Sequence, residues 1–275
     1  MKTKNKLIIM ITGASDGLGR ELAIQLAKKG HDVFACTRYS HKIKVFLKKK
    51  NLFLRNLIPL ELNLLKPKSV KIVHDYILKK RGRIDVLINN AGYGLIGSVE
   101  NLSPVQLKRL FAVNLFGAIW CLQAVLPSMR KQKSGLIINI SSTSGLIGSP
   151  LLGGYCASKF ALEGLSECLA MELEKYHVKV KVVEPGLLKS SFIKNIEIGS
   201  RLKPNDNPYL FETRESVKKM QELLASKKAE KLEDVAKIIV RAIEDNQKIF
   251  RVQTTDWAKK VVARKLKEPV LLTSK

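Results

Sequence analysis

The sequence predicts an α/β fold in which a parallel β-sheet is covered by helices on both faces, giving three layers. Two observations predict it. Short apolar runs of strand length alternate with helix-length segments along most of the chain, and this alternation is typical of right-handed β-α-β units. The 275 residues are 45% hydrophobic and 27% charged, which is enough apolar side chain for one large core. No internal repeat or low-complexity linker marks a boundary, so residues 1–275 are predicted to form a single domain.

The elements follow from apolar periodicity and from the glycines and prolines that interrupt it. No run of 18 apolar residues suggests a membrane span, and the run from Leu7 to Ile11 is too short for a signal peptide. We expect strands at 7–12, 33–37, 58–62, 85–88, 136–141, 178–184 and 248–252, and helices at 18–29, 42–50, 67–80, 104–131, 154–175, 232–245 and 256–267.

A glycine-rich turn, Thr12 to Gly19, joins the first strand to the first helix. Glycines let a backbone approach a pyrophosphate, and a helix amino terminus offers free N–H groups and a positive dipole end. The spacing is G-x-x-x-G-x-G and not the commoner G-x-G-x-x-G. It is therefore the order of strand, turn and helix that predicts a Rossmann-type, doubly wound fold with a phosphate-binding turn.

The end of the second strand indicates which dinucleotide binds. In such a fold this position faces the adenosine ribose, and an acidic residue there favours NAD. Here Thr37 is neutral and Arg38 follows it. A guanidinium fork suits a 2′-phosphate, and Ser15 in the glycine turn could share that phosphate. The sequence therefore predicts NADP(H) as cofactor.

Tyr155 and Lys159 stand four residues apart in a predicted helix, so both side chains lie on one face. An ammonium beside a phenol favours the phenolate, so we expect Lys159 to lower the pKa of Tyr155. A tyrosine tuned in this way can give or take a proton. The alternative is an ordinary helix that happens to carry this pair.

Residues 187–225 break the alternation of strands and helices, and we expect no clear strand between 187 and 230. A long irregular segment in such a domain is often a substrate lid, although an ordinary surface excursion has the same pattern. The last helix, 256–267, has an apolar side with Trp257 and a basic side. It either packs on the body or lies on a membrane surface.

The chain is strongly basic, with a formal net charge of +25, and residues 1–80 hold 18 Lys and Arg against 5 Asp and Glu. A solvated lysine-rich surface explains this charge better than nucleic-acid binding, because the lysines are not interleaved with aromatics. The four cysteines (Cys36, Cys121, Cys156 and Cys168) have no metal-ligand spacing. We interpret them as reduced core residues of a cytoplasmic protein without a metal site.

Five motifs in order resemble the short-chain dehydrogenase/reductase family over nearly the whole chain. They are the glycine turn, Asn89-Asn90-Ala91-Gly92, Asn114, Ser142 thirteen residues before Tyr155, and the Tyr155–Lys159 pair followed by Pro185-Gly186. The resemblance implies that Tyr155 is the general acid/base, that Ser142 hydrogen-bonds the same substrate oxygen, and that Lys159 tunes Tyr155 and holds the nicotinamide ribose. Asn114 would support a proton relay to Lys159 through water.

The resemblance also implies binding residues. Two positions depart from the family's pattern: Asn63 replaces an aspartate near the adenine, and Ser190 replaces a threonine near the nicotinamide amide. The implied cofactor-binding residues are Gly13, Ser15, Asp16, Gly17, Leu18, Gly19, Arg38, Asn63, Leu64, Asn90, Ala91, Gly92, Tyr155, Lys159, Pro185, Gly186, Leu188 and Ser190. The candidate substrate-binding residues are Ser142, Leu146, Ile147, Tyr155, Phe192, Tyr209 and Phe211, although aromatic residues in a lid are as often mere packing.

The stretch from Phe250 to Thr255, with Lys267-Glu268-Pro269, is similar to the branch of 17β-hydroxysteroid dehydrogenase type 1 and retinol dehydrogenase 8. That likeness implies a steroid-, retinoid- or lipid-like ketone, aldehyde or alcohol, and the family implies a homodimer. Two other functions stay open. One is a cofactor-binding regulator without turnover, which the intact Asn114, Ser142, Tyr155 and Lys159 argue against. The other is a basic protein that binds nucleic acid or anionic membranes.

Overall fold

The computed structural model of the protein describes residues 6–226, 229–245 and 249–267. The strands are β1 (Ile8–Thr12), β2 (Asp32–Thr37), β3 (Leu57–Glu61), β4 (Val86–Asn89), β5 (Leu95–Ile96), β6 (Gly135–Ile140), β7 (Val178–Glu184), β8 (Glu197–Ile198) and β9 (Arg251–Gln253). The helices are α1 (Gly17–Lys28), α2 (Ser40–Lys49), α3 (Pro67–Arg81), α4 (Pro104–Phe111), α5 (Gly117–Gln132), α6 (Gly153–Leu173), α7 (Leu210–Ala225), α8 (Leu232–Glu244) and α9 (Asp256–Lys267).

Seven strands form one parallel sheet in the order β3-β2-β1-β4-β6-β7-β9. The chain first winds outward from β1 to β3, then returns to β4 and winds the other way. The predicted doubly wound α/β fold is thereby confirmed. In such a sheet a crevice opens at the carboxyl ends of the two strands where the winding reverses. Here those strands are β1 and β4, so the crevice lies after Thr12 and Asn89.

Strand β1 shows why the sheet is covered on both faces. All five of its residues are buried, and successive side chains of a strand point to opposite faces. Ile9 and Ile11 belong to the core layer that contains residues of α1 and α8. Ile8 and Met10 belong to the layer that contains residues of α3, α5 and α6. A continuous apolar strand is therefore what a sheet between two helical layers requires.

The predicted helical stretch 104–131 is not a regular α-helix. Residues Ala112–Phe116 form a π-helical turn between α4 and α5, and single π turns often occur at functional sites. By length and composition alone, Pro104–Gln132 could cross a membrane. Four of its side chains (Cys121, Leu122, Val125 and Met129) are buried in the layer beside the sheet, as in a core helix of a globular domain.

Three expectations need correction. The segment after β7 contains the two-residue strand β8, which pairs in parallel with β5 because the chain returns beside Leu95. Cys168 is exposed on α6 and is not a core residue, whereas the other three cysteines are buried. On α9 the buried residues are Ala258 and Val262, while Trp257 is largely exposed.

Candidate active site

The crevice is built first from the end of β1 and the loop after β4. The Thr12 hydroxyl accepts hydrogen bonds from the backbone N–H groups of Asn90 (3.0 Å) and Ala91 (3.1 Å). The Asn90 side-chain amide donates to the carbonyl oxygens of Thr12 (2.9 Å) and Gly13 (3.2 Å). One asparagine and one threonine thus join two loops that are distant in sequence and hold the glycine turn in place.

Two glycines of this turn are required sterically. Gly13 has a φ of 68°, and a β-carbon there would lie 2.7 Å from the Ala91 α-carbon. A β-carbon on Gly19 would overlap the Asn90 amide and lie 2.6 Å from the Gly13 carbonyl oxygen. Backbone therefore lines this part of the crevice at the amino terminus of α1, which is the arrangement that fits the pyrophosphate of a dinucleotide.

Asp16 caps α1 by accepting from the Gly17 N–H at 2.8 Å, and it pairs with Arg20 at 2.8 Å. Burial raises the pKa of Asp16, but hydrogen bonds from Ser191 and Gly17 outweigh it and lower the pKa overall. The Ser191 hydroxyl donates to Asp16. The chain after β7 therefore touches the glycine turn. Of the other predicted turn residues, Ser15 is partly buried and Leu18 packs in the core.

At the end of β2, Thr37 is buried and Arg38 is exposed. The Arg38 guanidinium carbon lies 5.6 Å from the ring centre of Tyr39. The two positions after β3 differ from each other. The Asn63 side-chain oxygen already accepts from the Leu65 N–H. The Leu64 side chain packs into the core, where its β-carbon lies 2.8 Å from the position that a β-carbon on Gly117 would take. Only the backbone of Leu64 is therefore available to a ligand.

Tyr155 and Ser142 lie together at the carboxyl edge. Tyr155 is buried near the start of α6, and the Ser142 side chain is near enough to act on its pKa. Ser142 is held by its own turn, because its hydroxyl oxygen accepts from the Ser144 N–H at 3.1 Å. The structure corrects the expected direction of the tyrosine pKa. Burial raises the pKa of Tyr155 to about 12, and the Ser142 side chain acts to lower it.

Lys159 is buried one helical turn after Tyr155 and donates to the Ile140 carbonyl oxygen at 2.8 Å. Burial lowers the pKa of Lys159 to about 8, and the nearby Glu163 carboxylate acts to raise it. A lysine with such a pKa changes its charge just above neutral pH, unlike an exposed lysine. The structure therefore places a buried group that can gain or lose a proton one helical turn after Tyr155.

Asn114 lies on the π-helical turn and is fixed by three hydrogen bonds. Its side chain accepts from the Tyr93 N–H at 3.0 Å and donates to the Tyr93 carbonyl oxygen (3.0 Å) and to the Ser158 hydroxyl (3.1 Å). A β-carbon on Gly92 would lie 3.2 Å from Asn114 Oδ1 and 3.6 Å from Lys159 Nζ. Asn114 and Lys159 therefore both lie next to the space beside the Gly92 α-carbon, and this space stays open because Gly92 has no side chain.

A partly buried charge cluster near Lys159 was not predicted. Arg251 on β9 donates to Glu163 and Glu167 of α6 and, at 2.8 Å, to Glu184 of β7. Burial raises the pKa of Glu163, with the neighbouring Glu184 adding to the effect and Arg251 opposing it. The i,i+4 spacing of Lys159 and Glu163 was a sequence signal for their proximity. Arg251, 88 residues after Glu163, had no such signal in the sequence.

A second unpredicted residue, Glu230, holds the loop after β7. Its carboxylate accepts from the Gly186 N–H at 3.0 Å and from the Thr254 hydroxyl. Its backbone pairs with Leu188 in an isolated bridge, so Leu188 is positioned by Glu230. Pro185 accepts from the Thr143 N–H at 3.1 Å, and the Ser190 hydroxyl oxygen accepts from the Phe192 N–H at 3.2 Å.

Among the predicted substrate residues, Phe192 lies beside Tyr155, with the two ring centres 5.8 Å apart. Leu146 and Ile147 are partly buried after the Ser142 turn. Two assignments are not supported. Phe211 is 73% exposed and Tyr209 is 42% exposed, because α7 turns these side chains to solvent, so the structure does not place them in an apolar pocket.

Comparison with known proteins agrees with this geometry. A family profile described as "short chain dehydrogenase" matches residues 7–200. The chain is 38% identical over 200 residues to a 3-ketodihydrosphingosine reductase of Bacteroides thetaiotaomicron, covering 73% of this chain and 71% of the relative. It is 32% identical to retinol dehydrogenase 8 of Bos taurus, covering 95% and 85%. A short chain dehydrogenase/reductase of Burkholderia phymatum solved in complex with NAD has a TM-score of 0.83 at 21% identity, covering 100% and 99%.

Proposed function

This chain belongs to the short-chain dehydrogenase family and is an oxidoreductase of that family, and we propose that it transfers a hydride between NADP(H) and an apolar ketone, aldehyde or alcohol. The observation that carries the proposal is the arrangement at one end of α6. Tyr155 is buried with Ser142 beside it, and the buried Lys159 follows one turn later.

In the reducing direction, Tyr155 donates its hydroxyl proton to the carbonyl oxygen, and Ser142 donates a hydrogen bond to the same oxygen. A phenol whose pKa lies at about 12 holds its proton at neutral pH, so it is ready to donate. The Lys159 ammonium then stabilises the phenolate that results. In the oxidising direction, the same groups work in reverse. When bound, the dinucleotide supplies or accepts the hydride.

Proton resupply involves Lys159 and Asn114. With a pKa of about 8, Lys159 can lose and regain a proton near neutral pH. Asn114 Oδ1 borders the same open point at Gly92 as Lys159 Nζ. We infer that a water hydrogen-bonded there passes the proton between Lys159 and solvent. Asn114 is suited to hold such a water, since its own orientation is fixed by Tyr93 and Ser158.

The preference for NADP(H) is argued from the end of β2. Thr37 brings no negative charge there, and Arg38 is exposed and available to a phosphate. The solved structure that contains NAD is only 21% identical, a likeness that concerns the fold alone. Apart from Ser15, which could share the 2′-phosphate, the residues of the glycine turn bind the part that the two dinucleotides have in common, so the choice between them rests mainly on Arg38.

The apolar substrate class is supported by Phe192 beside Tyr155, with Leu146 and Ile147 nearby. Two relatives are named for 3-ketodihydrosphingosine and for retinol. We infer that residues 187–225 act as a lid over the substrate, because Ser191 already touches Asp16 across the crevice. Hydrogen exchange of this segment with and without cofactor and substrate tests the lid, and equal exchange in both states argues against it.

We further propose a cytoplasmic homodimer that pairs through α4, α5 and α6. Exposed apolar residues support the interface: Phe160 and Met171 on α6, and Phe116 on the π-helical turn between α4 and α5. Light scattering at micromolar concentration measures the mass, and a monomer contradicts the proposal.

The central experiment is a substrate screen with NADPH and with NADH over ketones and aldehydes of increasing apolar size. Loss of cofactor absorbance should be fastest with NADPH and should increase with substrate size, with Tyr155→Phe as the inactive reference. Saturable NADPH binding without turnover of any compound would instead favour the cofactor-binding regulator.

A further inference from the structure

Helix α2 and the loop to β3 carry an unusual charge. Residues 41–55 contain six Lys and Arg and no Asp or Glu. The inner side of α2 is packed, since Ile43 is buried and the Arg20 guanidinium carbon lies 3.8 Å from the Phe46 ring centre. The outer side exposes Lys44, Val45, Lys48, Lys49, Lys50, Phe53 and Arg55, and we name these seven residues the basic α2 face.

Neighbouring helices also end in cations, as the helix dipole favours, and at each of the two ends one cation has an acidic partner. At the end of α1, Lys29 pairs with Glu244 at 2.8 Å. At the end of α3, Arg81 pairs with Asp32 at 2.6 Å. Within the described ranges, no such ion pair involves a cation of the basic α2 face. Its positive charge is therefore available to an external anion.

The same face exposes two apolar side chains. Phe53 is 92% exposed and Val45 is 61% exposed. A single exposed apolar residue needs no explanation. An exposed phenylalanine beside a run of three lysines is different, because cations and an aromatic ring together match the interface of an anionic lipid bilayer.

We propose that the basic α2 face binds the surface of an anionic membrane, with the lysines on lipid headgroups and Phe53 inserted at the interface. A lipid surface fits better than a nucleic acid. Recognition of single strands needs several aromatic rings on which bases stack, and this face has one. Lysines with an apolar anchor suffice for a fluid surface of negative headgroups.

This contact leaves the crevice accessible. Helix α2 starts after the carboxyl end of β2 and runs back, so its last turn and the Phe53 loop lie where β3 begins at Leu57. The crevice opens at the opposite edge of the sheet. Membrane binding and cofactor exchange can therefore occur together, and substitutions on this face should leave the fold intact.

Cosedimentation with phosphatidylcholine vesicles, with and without phosphatidylserine, tests the proposal. At physiological salt the wild type should bind only vesicles that contain phosphatidylserine, and binding should fall as salt rises. Replacing Lys48 and Lys49 together by glutamine should weaken binding about 30-fold. Phe53→Ala should weaken it about tenfold. Melting temperature and circular dichroism check that each variant is folded.

The matched control removes two charges from α9, with Lys260→Gln and Lys267→Gln together. This pair should change binding by less than about threefold, since its charges lie outside the basic α2 face. Loss of binding in the α9 pair but not in the α2 pair would overturn the proposal. So would equal binding to both kinds of vesicle, or binding of single-stranded RNA through Lys48 and Lys49 without binding to vesicles.

Discussion

The two halves of the crevice are stabilised by different physics. The half at β1 and β4 is held by neutral hydrogen bonds between Thr12 and Asn90 and by the close packing of glycine backbone. The half at α6 contains charged groups that are buried or partly buried: Lys159 lies near Glu163, and Glu163 accepts from Arg251. The first half should therefore be sensitive to side-chain volume, and the second should be sensitive to protons and charge.

The substitution with the largest expected effect removes the proton-donating hydroxyl from the half of the crevice at α6. Tyr155→Phe keeps the ring beside Phe192 but has no hydroxyl, so kcat should fall by about 10²–10⁴-fold. Binding of NADPH, measured by its fluorescence, should survive. Tyr176→Phe, which removes a hydroxyl outside the crevice, should be neutral. If Tyr155→Phe keeps more than about a tenth of the wild-type kcat, the role given to Tyr155 is wrong.

The half of the crevice at β1 and β4 should be sensitive to added side-chain volume. In Gly19→Ala the new methyl group would overlap the Asn90 amide and crowd the Gly13 carbonyl. The turn must then open, and we expect cofactor affinity to fall by about a hundredfold or more, since a displacement of about 1 Å in a positioned group has that effect.

Gly164→Ala on α6 is the control, because a β-carbon there meets no atom within 4 Å. It should keep cofactor binding and raise stability slightly, as alanine is the better helix former. Titration of both variants with NADPH and NADH separates the two outcomes. Wild-type affinity in Gly19→Ala contradicts the steric argument.

Arg38→Ala should change the choice of cofactor without affecting the proton chemistry. The ratio of kcat/KM with NADPH to that with NADH should fall about ten- to a hundredfold, the value of one charge-assisted hydrogen bond. Lys44→Ala removes a nearby charge and should leave the ratio nearly unchanged. A wild type that prefers NADH, or an unchanged ratio in Arg38→Ala, refutes this interpretation of Thr37 and Arg38.

The smallest expected effect is a shift in pH dependence. Glu163 acts to raise the pKa of Lys159, which lies at about 8. Glu163→Gln removes that carboxylate, so the pKa of Lys159 should fall and its charge should be lost at a lower pH. The rate of carbonyl reduction declines as the ammonium deprotonates, so this decline should move to lower pH. At pH 8 the variant should lose roughly three- to tenfold more activity than at pH 6.5.

Glu167→Gln is the matched control, since Glu167 also binds Arg251 from α6 but its side chain is 55% exposed. Its pH profile should match that of the wild type. If the rate of Glu163→Gln is lower than that of the wild type by the same factor at every pH, Glu163 has a structural role and not an electrostatic one.

The sequence by itself determined the elements and the local pairs. Apolar periodicity placed the strands of the seven-stranded sheet and most helices to within a few residues, because burial between two layers imposes that pattern on neighbouring positions, but it missed β5, β8 and α7. The spacing of Tyr155 and Lys159 fixed their common face, since a helix has one geometry. The glycine turn was predictable because only glycine adopts its backbone angles at this close approach.

Only the tertiary structure decided which distant residues meet. The contacts of Asn90 with Thr12, of Glu230 with Gly186 and of Arg251 with Glu163 join positions that carry no periodic relation in the sequence. The π-helical turn at Asn114 lies within a stretch whose pattern is simply helical. The pKa of Tyr155 was predicted in the wrong direction because a charged neighbour can be seen in a sequence, whereas burial results from the whole fold and here has the larger effect.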